Sequence, residues 1–290
     1  MRTWIVKGKK TALFLILAVS IVLVLLVAGR WKVRYNPGEL DALARDRTDK
    51  SSIAHGYTEI YEQFFLPLKY KRIRICEIGI ERGGSLTVWR DYFPKAMIFG
   101  IDIFDYSKYA EKRIKTFVAD QSKRSQLQSF IRASGGQFDV IIDDGGHTMN
   151  QQQISLGYLF KHVKPGGYYI VEDVHTSLPR YYHGFGVDKT GSNSTLTMIN
   201  EFIADAEIRS KYMTAKEADY LKRNIKSCTL FFRNKEQHPI TCIFKKKGGK
   251  VPIAKPEDDD GPAVPRDPDQ SRKAVAAGIM ILAPASRERP

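Results

Sequence analysis

Five short apolar runs recur along the middle of the chain at the spacing of a βα repeat. They read RICEIGI (74–80), MIFGIDI (97–103), IKTFVAD (114–120), FDVIIDD (138–144) and GYYIVEDV (167–174). Each is rich in β-branched and aromatic residues and carries little polar alternation, which predicts parallel strands buried on both faces. Between them lie helical patterns, SLTVWRDYF (85–93), SKRSQLQSFIRAS (122–134) and NQQQISLGYLFKHV (150–163). A helical stretch over about 195–225 then leads into SCTLFFRN and PITCIFKK, which predict an antiparallel hairpin. The sum is an α/β fold, a doubly wound, Rossmann-like sheet of seven strands.

A different pattern opens the chain. Thr11 to Gly29 is apolar and uncharged, long enough to cross about 30 Å of hydrocarbon as a helix. An uncleaved single-pass anchor fits better than a cleaved signal peptide, because the apolar run is long and Arg30, Lys32 and Arg34 follow at once. The segments expected are a basic N-terminus (1–10), a transmembrane helix (11–29), a juxtamembrane linker (30–50), a catalytic domain (51–247) and a disordered, proline- and acid-rich tail (248–290). Localisation is then at a membrane. Four basic residues precede the span and three follow it, a bias too small to set the orientation. A catalytic domain on the lumenal or extracytoplasmic side is slightly favoured, because a sugar acceptor on a secretory glycan would explain the anchor. Asn193-Ser194-Thr195 is a glycosylation acceptor sequence that would report on that side.

Charge narrows the partners. The chain has 46 Lys and Arg against 32 Asp and Glu, a formal +14, but most of the excess lies in 1–34 and in 245–290. Residues 35–244 carry only +4, so no nucleic-acid partner is expected. Three cysteines exclude a disulfide-built scaffold. Cys228 and Cys242 fall near each other on the predicted hairpin and read as buried thiols, with a disulfide only in an oxidising compartment.

In doubly wound sheets ligands bind beyond the carboxyl ends of the strands, at the switch in strand order. The first predicted strand runs into Glu77-Ile78-Gly79-Ile80-Glu81-Arg82-Gly83-Gly84-Ser85, a glycine-rich turn without the G-x-G-x-x-G of a pyrophosphate loop. The second ends at Asp102, where a carboxylate can hold ribose hydroxyls, and the third at Asp120-Gln121, placed to meet an adenine edge. Such a set suits a nucleoside ligand lacking pyrophosphate, and S-adenosylmethionine fits. Strand-end acids that merely cap helices are the alternative. The fourth strand ends Asp143-Asp144-Gly145-Gly146-His147 and the fifth Glu172-Asp173. So many carboxylates in one place need protons or a hard cation such as Mg²⁺. Solvated acids without a metal remain the competing reading. His147 is either a general base or a structural histidine.

These residues resemble a known family. Thr48-Asp49-Lys50 with His55, Tyr57 and Tyr61, then EIGIERGGSLTVWRDYFP, GIDIFD, ADQS, FDVIIDDGGH and VKPGGYYIVEDVHTS, look like the metal-dependent sugar O-methyltransferases of macrolide biosynthesis. The same superfamily includes proteins labelled cephalosporin hydroxylase. Arg47 stands where that family usually has glycine, and Gly146 where it commonly has serine. The resemblance covers about 47–246 and implies a class I methyltransferase sheet. It implies S-adenosylmethionine among Glu77, Gly79, Asp102 and Asp120, with Gly83, Ser85, Gln121 and Asp143 assigned to the same site. It also implies Mg²⁺, or another hard divalent ion, on Asp144, Glu172 and Asp173, with His147 as catalytic base. The partners expected are a small-molecule or glycan acceptor, whose sugar is walled by the loop 178–183, and the membrane through the N-terminal helix. A homo-oligomer is left open. Two other functions stand beside O-methylation: an iron hydroxylase using His147, His175 and Asp144, and a non-catalytic binding module.

Overall fold

Apolar runs without polar alternation must be covered on both faces, and the strands meet that demand by lying inside a single sheet. The computed structural model describes residues 38–234 and 238–249. Five parallel strands, β1 (Arg74–Ile78), β2 (Met97–Asp102), β3 (Ile114–Val118), β4 (Phe138–Asp143) and β5 (Val163–Val171), are followed by β6 (Ile225–Phe232) and β7 (Ile240–Lys246). The order across the sheet is β3-β2-β1-β4-β5-β7-β6, with β7 antiparallel to both β5 and β6. The seven-stranded Rossmann-like expectation therefore holds. The switch in strand order lies between β1 and β4, where Ile78 pairs with Asp143.

Two apolar cores flank the sheet. On one face α1 (Glu39–Ala44), α2 (Tyr57–Phe65) and α3 (Gly84–Tyr92) pack with Ile75, Ile98, Val140 and Ile142. On the other, α4 (Arg124–Ser134), α5 (Met149–Leu159), α7 (Thr195–Asp205) and α8 (Ala215–Asn224) pack with Ile78, Phe99, Ile141 and Tyr169. A four-residue α6 (Tyr182–Phe185) precedes α7. The helical stretch expected over 195–225 is two helices. Ala206 takes a left-handed conformation at the end of α7, and Thr214 with Glu217 forms a capping box that starts α8 afresh.

Residues 39–50, expected as part of a linker, instead carry α1 and a turn in which Leu40, Ala44 and Lys50 are fully buried. Asp41 ties this segment down. Its carboxylate accepts from the Ser52 amide (2.6 Å), the Ser52 hydroxyl (2.6 Å) and the Thr58 hydroxyl (2.7 Å).

The membrane localisation expected from the N-terminal pattern is corrected: no helix among the described residues is long and apolar enough to cross a membrane. The 1–10 and 11–29 segments and the tail from 250 lie outside the described residues. The proposed reporter of lumenal exposure also fails on geometry. Asn193 is buried, and its Nδ2 donates to the Gly186 carbonyl and the Tyr212 hydroxyl, both at 2.9 Å. A glycan on that nitrogen would break this anchoring.

Removing the Asp41 clamp should loosen the turn that carries Lys50 without opening the sheet. Asp41→Ala is expected to cost about 2–3 kcal/mol, because it strands three donors at once. A urea unfolding curve with a lower midpoint and an unchanged slope would show it; an unshifted midpoint would remove the clamp.

Candidate functional site

The carboxyl ends of the parallel strands meet at a cleft of about 870 Å³. Its walls are the Gly79–Arg82 turn, Asp102 to Phe104 with Tyr106, Gln121, the turn 144–147, and residues 45–54 between α1 and α2. The backbone makes this approach close. Gly79 has φ 90°, and a Cβ there would lie 2.1 Å from the Asp144 carbonyl oxygen. Only glycine lets the β1 turn pass over the β4 turn at that point.

The residues expected around a nucleoside separate into two groups. Gly79, Ser85, Asp102 and Gln121 line the cleft. Asp102 accepts from the Ile80 amide (2.8 Å) and the Phe104 amide (3.0 Å), which shapes both flanking turns around its carboxylate. Ile103 and Phe104 beside it are 53% and 63% exposed, so this wall offers an uncovered apolar surface. Gln121 bridges inward and outward, donating to Asp143 Oδ1 (2.9 Å) and accepting from the Gly146 amide (2.9 Å).

Glu77, Gly83, Asp120 and Asp143, expected at the same site, are not among the residues that line the cleft. Glu77 points into the core, where Ser85 Oγ (2.7 Å) and Trp89 Nε1 (3.0 Å) donate to its Oε2. Gly83 caps α3 with φ 69°, a conformational task. Asp120 accepts from the amide and hydroxyl of Ser122 and so caps its own turn. Asp143 is fully enclosed, held by Ser155, Gln121 and Tyr169. No residue of the loop 178–183 is among those lining this cleft; Leu178 borders a separate depression with Phe232, Arg233 and His238, while Tyr181 packs on His175.

A lysine dominates the carboxylate cluster. Lys50 is fully buried, and its ammonium donates to Asp144 Oδ2 and, at 2.8 Å, to Glu172 Oε2, with Glu77 Oε1 at 3.6 Å. Burial alone lowers a lysine pKa, but these three carboxylates raise that of Lys50 well above its ordinary value. It stays charged. The cation that offsets the acids is thus supplied in part by the chain itself. Glu172 is fully committed, since Tyr61 donates to its other oxygen at 2.8 Å.

Asp144, His147 and Asp173 form the remaining set, each offering a donor atom within 4.8 Å of the others. His147 Nε2 lies 3.4 Å from Asp173 Oδ2 and 4.0 Å from Asp144 Oδ1. Glu172, expected as a third carboxylate ligand, does not join them, for the reason just given. His147 and Asp173 both adopt positive φ, 57° and 52°, a conformation costly for non-glycine residues and concentrated at functional sites. Asp173 is held by Tyr57, which donates to Oδ1 at 2.7 Å and accepts from the Asp173 amide at 3.3 Å. Burial would raise the Asp173 pKa, yet His147, His55 and the Tyr57 hydroxyl bring it below the ordinary carboxylate value. Burial and the neighbouring acids push the phenols of Tyr57 and Tyr61 up, so both remain donors. The two carboxylate oxygens in this disposition fit a divalent cation, with the imidazole beside them. The set contains one histidine; His175 approaches the opposite oxygen of Asp173, at 3.7 Å, and stays outside it. Among the described residues the two-histidine triad of an iron hydroxylase is not assembled.

Lys50, His55, Tyr57 and Tyr61 were legible only as letters of a motif. Nothing in their spacing shows that a residue 94 positions before Asp144 would enter its cluster. The two departures from the family pattern are accommodated locally. Arg47 pairs with Asp91 at 2.6 Å, and Gln151 fills the space where a Gly146 side chain would start.

No protein-family model matches the chain. Among curated proteins it is 34% identical over 177 residues to the 8-demethyl-8-(2-methoxy-alpha-L-rhamnosyl)-tetracenomycin-C 3'-O-methyltransferase of Streptomyces olivaceus, covering 58% of this chain and 45% of that protein. It is 37% identical over 163 residues to the demethylmacrocin O-methyltransferase of Streptomyces fradiae, covering 54% and 40%. Among solved structures it is similar to MycE, a methyltransferase of the mycinamycin pathway described in complex with Mg, SAH and mycinamycin VI. The TM-score is 0.60 at 29% identity, over 74% of this chain and 57% of that one. The fold is that of class I methyltransferases, and the curated relatives just named are O-methyltransferases. The chain spans about half the length of the curated relatives it matches.

Two outcomes test the electrostatics. Lys50→Met leaves buried carboxylates without their cation and should cost about 3–5 kcal/mol in chemical denaturation. Burial raises Glu77 from its ordinary 4.5 to about 7. Between those values the folded chain keeps a proton that the unfolded chain has lost, so stability falls as pH rises through that window. Glu77→Gln should remove most of that slope, worth about 3 kcal/mol. An equal slope in both proteins would show that Glu77 does not titrate there.

Proposed function

We propose that this chain is an S-adenosylmethionine-dependent, Mg²⁺-assisted O-methyltransferase acting on a sugar hydroxyl of a glycosylated small molecule. The observation that carries the reading is the meeting, in one cleft, of the Gly79–Asp102 wall with the Asp144, His147 and Asp173 cluster. The tetracenomycin, macrocin and mycinamycin relatives support it, as do the SAH and Mg of the MycE complex. On this reading the catalytic unit runs from about residue 38 to 247.

Asp102 would hold the ribose hydroxyls of the donor, with Gly79 giving it room and Ile103 and Phe104 covering its base. S-adenosylmethionine supplies an already electrophilic methyl group, so the protein's task is alignment and proton removal. Asp144 and Asp173 would hold a divalent ion, which when bound orients vicinal hydroxyls and lowers the pKa of the one to be methylated. His147 lies beside both carboxylates and takes the acceptor proton through its imidazole. Tyr57 fixes the orientation of Asp173, and Lys50 fixes that of Asp144, so neither carboxylate must reorganise during transfer. Residues 45–54, with Ile53 exposed on the cleft, would face the acceptor.

Calorimetric titration of the full chain with S-adenosylmethionine, with and without Mg²⁺, tests the reading. Saturable binding that Asp102→Ala weakens by about 1–3 kcal/mol is expected; absence of binding would overturn it. With a demethylated rhamnosyl or mycinosyl-type glycoside as acceptor, His147→Ala should lower turnover by about 10²–10⁴ while donor binding persists. Asp144→Ala and Asp173→Ala, or chelation by EDTA, should stop transfer.

A further inference from the structure

Away from the cleft, the β6–β7 hairpin carries a pair of thiols with a geometry of their own. The register pairs Cys228 with Phe244 and Leu230 with Cys242, so the two cysteines are diagonal neighbours on one face of the hairpin. Their sulfurs are 3.1 Å apart, and neither is in a disulfide. Diagonal neighbours are about 7–8 Å apart, the outer limit for a cross-link, so closing this pair needs a slight shift of the edge strand to carry the sulfurs from 3.1 Å to bonding distance. The pair is also asymmetric. Cys242 is fully buried and burial pushes its thiol up, whereas Cys228 is half-buried. Cys76, the third cysteine, is enclosed in β1 and has no such neighbour.

We propose that Cys228 and Cys242 are a site of reversible oxidation that closes into a cross-strand disulfide by exchange with a low-molecular-weight disulfide. The half-buried Cys228 reacts first: its thiolate attacks one sulfur of the small disulfide, whose S–S bond breaks and releases one thiolate. Cys242 then loses its proton to solvent and attacks the Cys228 sulfur of the mixed disulfide. A second small thiolate leaves. Two protein thiols are oxidised and one small disulfide is reduced to two thiols, so electrons and protons balance. The cross-link pins β6, the edge strand, to β7. The neighbour of Cys242 in β7 is Thr241, which donates to the Val171 carbonyl at 3.0 Å and sits 3.3 Å from the Tyr61 hydroxyl, the partner of Glu172. Oxidation therefore stiffens the strand that backs the carboxylate cluster. This holds whichever reaction the cleft performs.

The full chain, reduced and then exposed to glutathione disulfide, is unfolded in guanidinium and alkylated with N-ethylmaleimide before intact-mass measurement. The reduced chain should take three adducts and the oxidised chain one, at Cys76, with a mass otherwise lower by about 2 Da. The oxidised protein should also melt higher by roughly 5 °C, and Cys228→Ser should abolish that rise. Three adducts after oxidation, or glutathione held stably on Cys228, would overturn the proposal. Cys228 sits toward the surface, so its serine variant is expected to fold. A peptide map of the oxidised wild type, joining the fragments that hold Cys228 and Cys242, decides the matter independently of any variant.

Discussion

One buried ammonium organises the heart of this molecule. Lys50 is withdrawn from water and reaches carboxylates at the ends of three strands: Glu77 on β1, Asp144 after β4 and Glu172 after β5. Desolvating such an ion is costly, and only the convergence of several acids keeps it charged. The dependence is mutual, because burial pushes all three acids up and the Lys50 charge draws each of them back down. The segment that brings Lys50 in is fixed by Asp41 and packed beneath α1, so residues that look like a polar approach to the domain help to build its site.

This arrangement also divides the acids by task. Glu172, gripped by Lys50 and Tyr61, has both oxygens engaged. Asp144 gives one oxygen to Lys50 and keeps the other toward His147. Asp173 faces a different surrounding of Tyr57 and three histidines, which hold it ionised. Neighbours of unlike charge thus leave two carboxylates of the cluster free to meet a cation, while the third stabilises the wall behind them.

Much of the fold was readable because burial writes itself into sequence: seven apolar runs became seven strands, each within a few residues of its expected limits. Where local signals were overlooked, the boundaries failed. Thr214 and Glu217 announce a helix start inside 195–225, and Val163 already belongs to β5 although Pro165 and Gly166 suggest a break. The site was readable only in part. Strand-end acids identify the cleft, but whether an acid faces the cleft or the core depends on partners distant in sequence. Glu77 turns inward because Ser85 and Trp89, one and two turns into α3, offer it donors. Asp143 does so because Ser155 and Tyr169 wait beneath it. Pattern alone assigns such residues to the ligand and structure assigns them to the frame.

The strain at His147 and Asp173 adds a last physical argument. Both hold a left-handed backbone that an ordinary side chain avoids, and they face each other across 3.4 Å. Such conformations persist only where the surroundings over-determine them. Here α5 begins at once after His147 through the Thr148–Gln151 capping box, and a short 3₁₀ turn begins after Asp173. Each turn is therefore clamped on its downstream side, while Gly145, Gly146 and the Tyr57 hydroxyl absorb the bend upstream. Aspartate and histidine enter this region more readily than most side chains, so both turns can keep functional groups in place. A histidine and an aspartate held this way, facing each other beside an ammonium-held acid, are what the proposed proton transfer asks of the backbone.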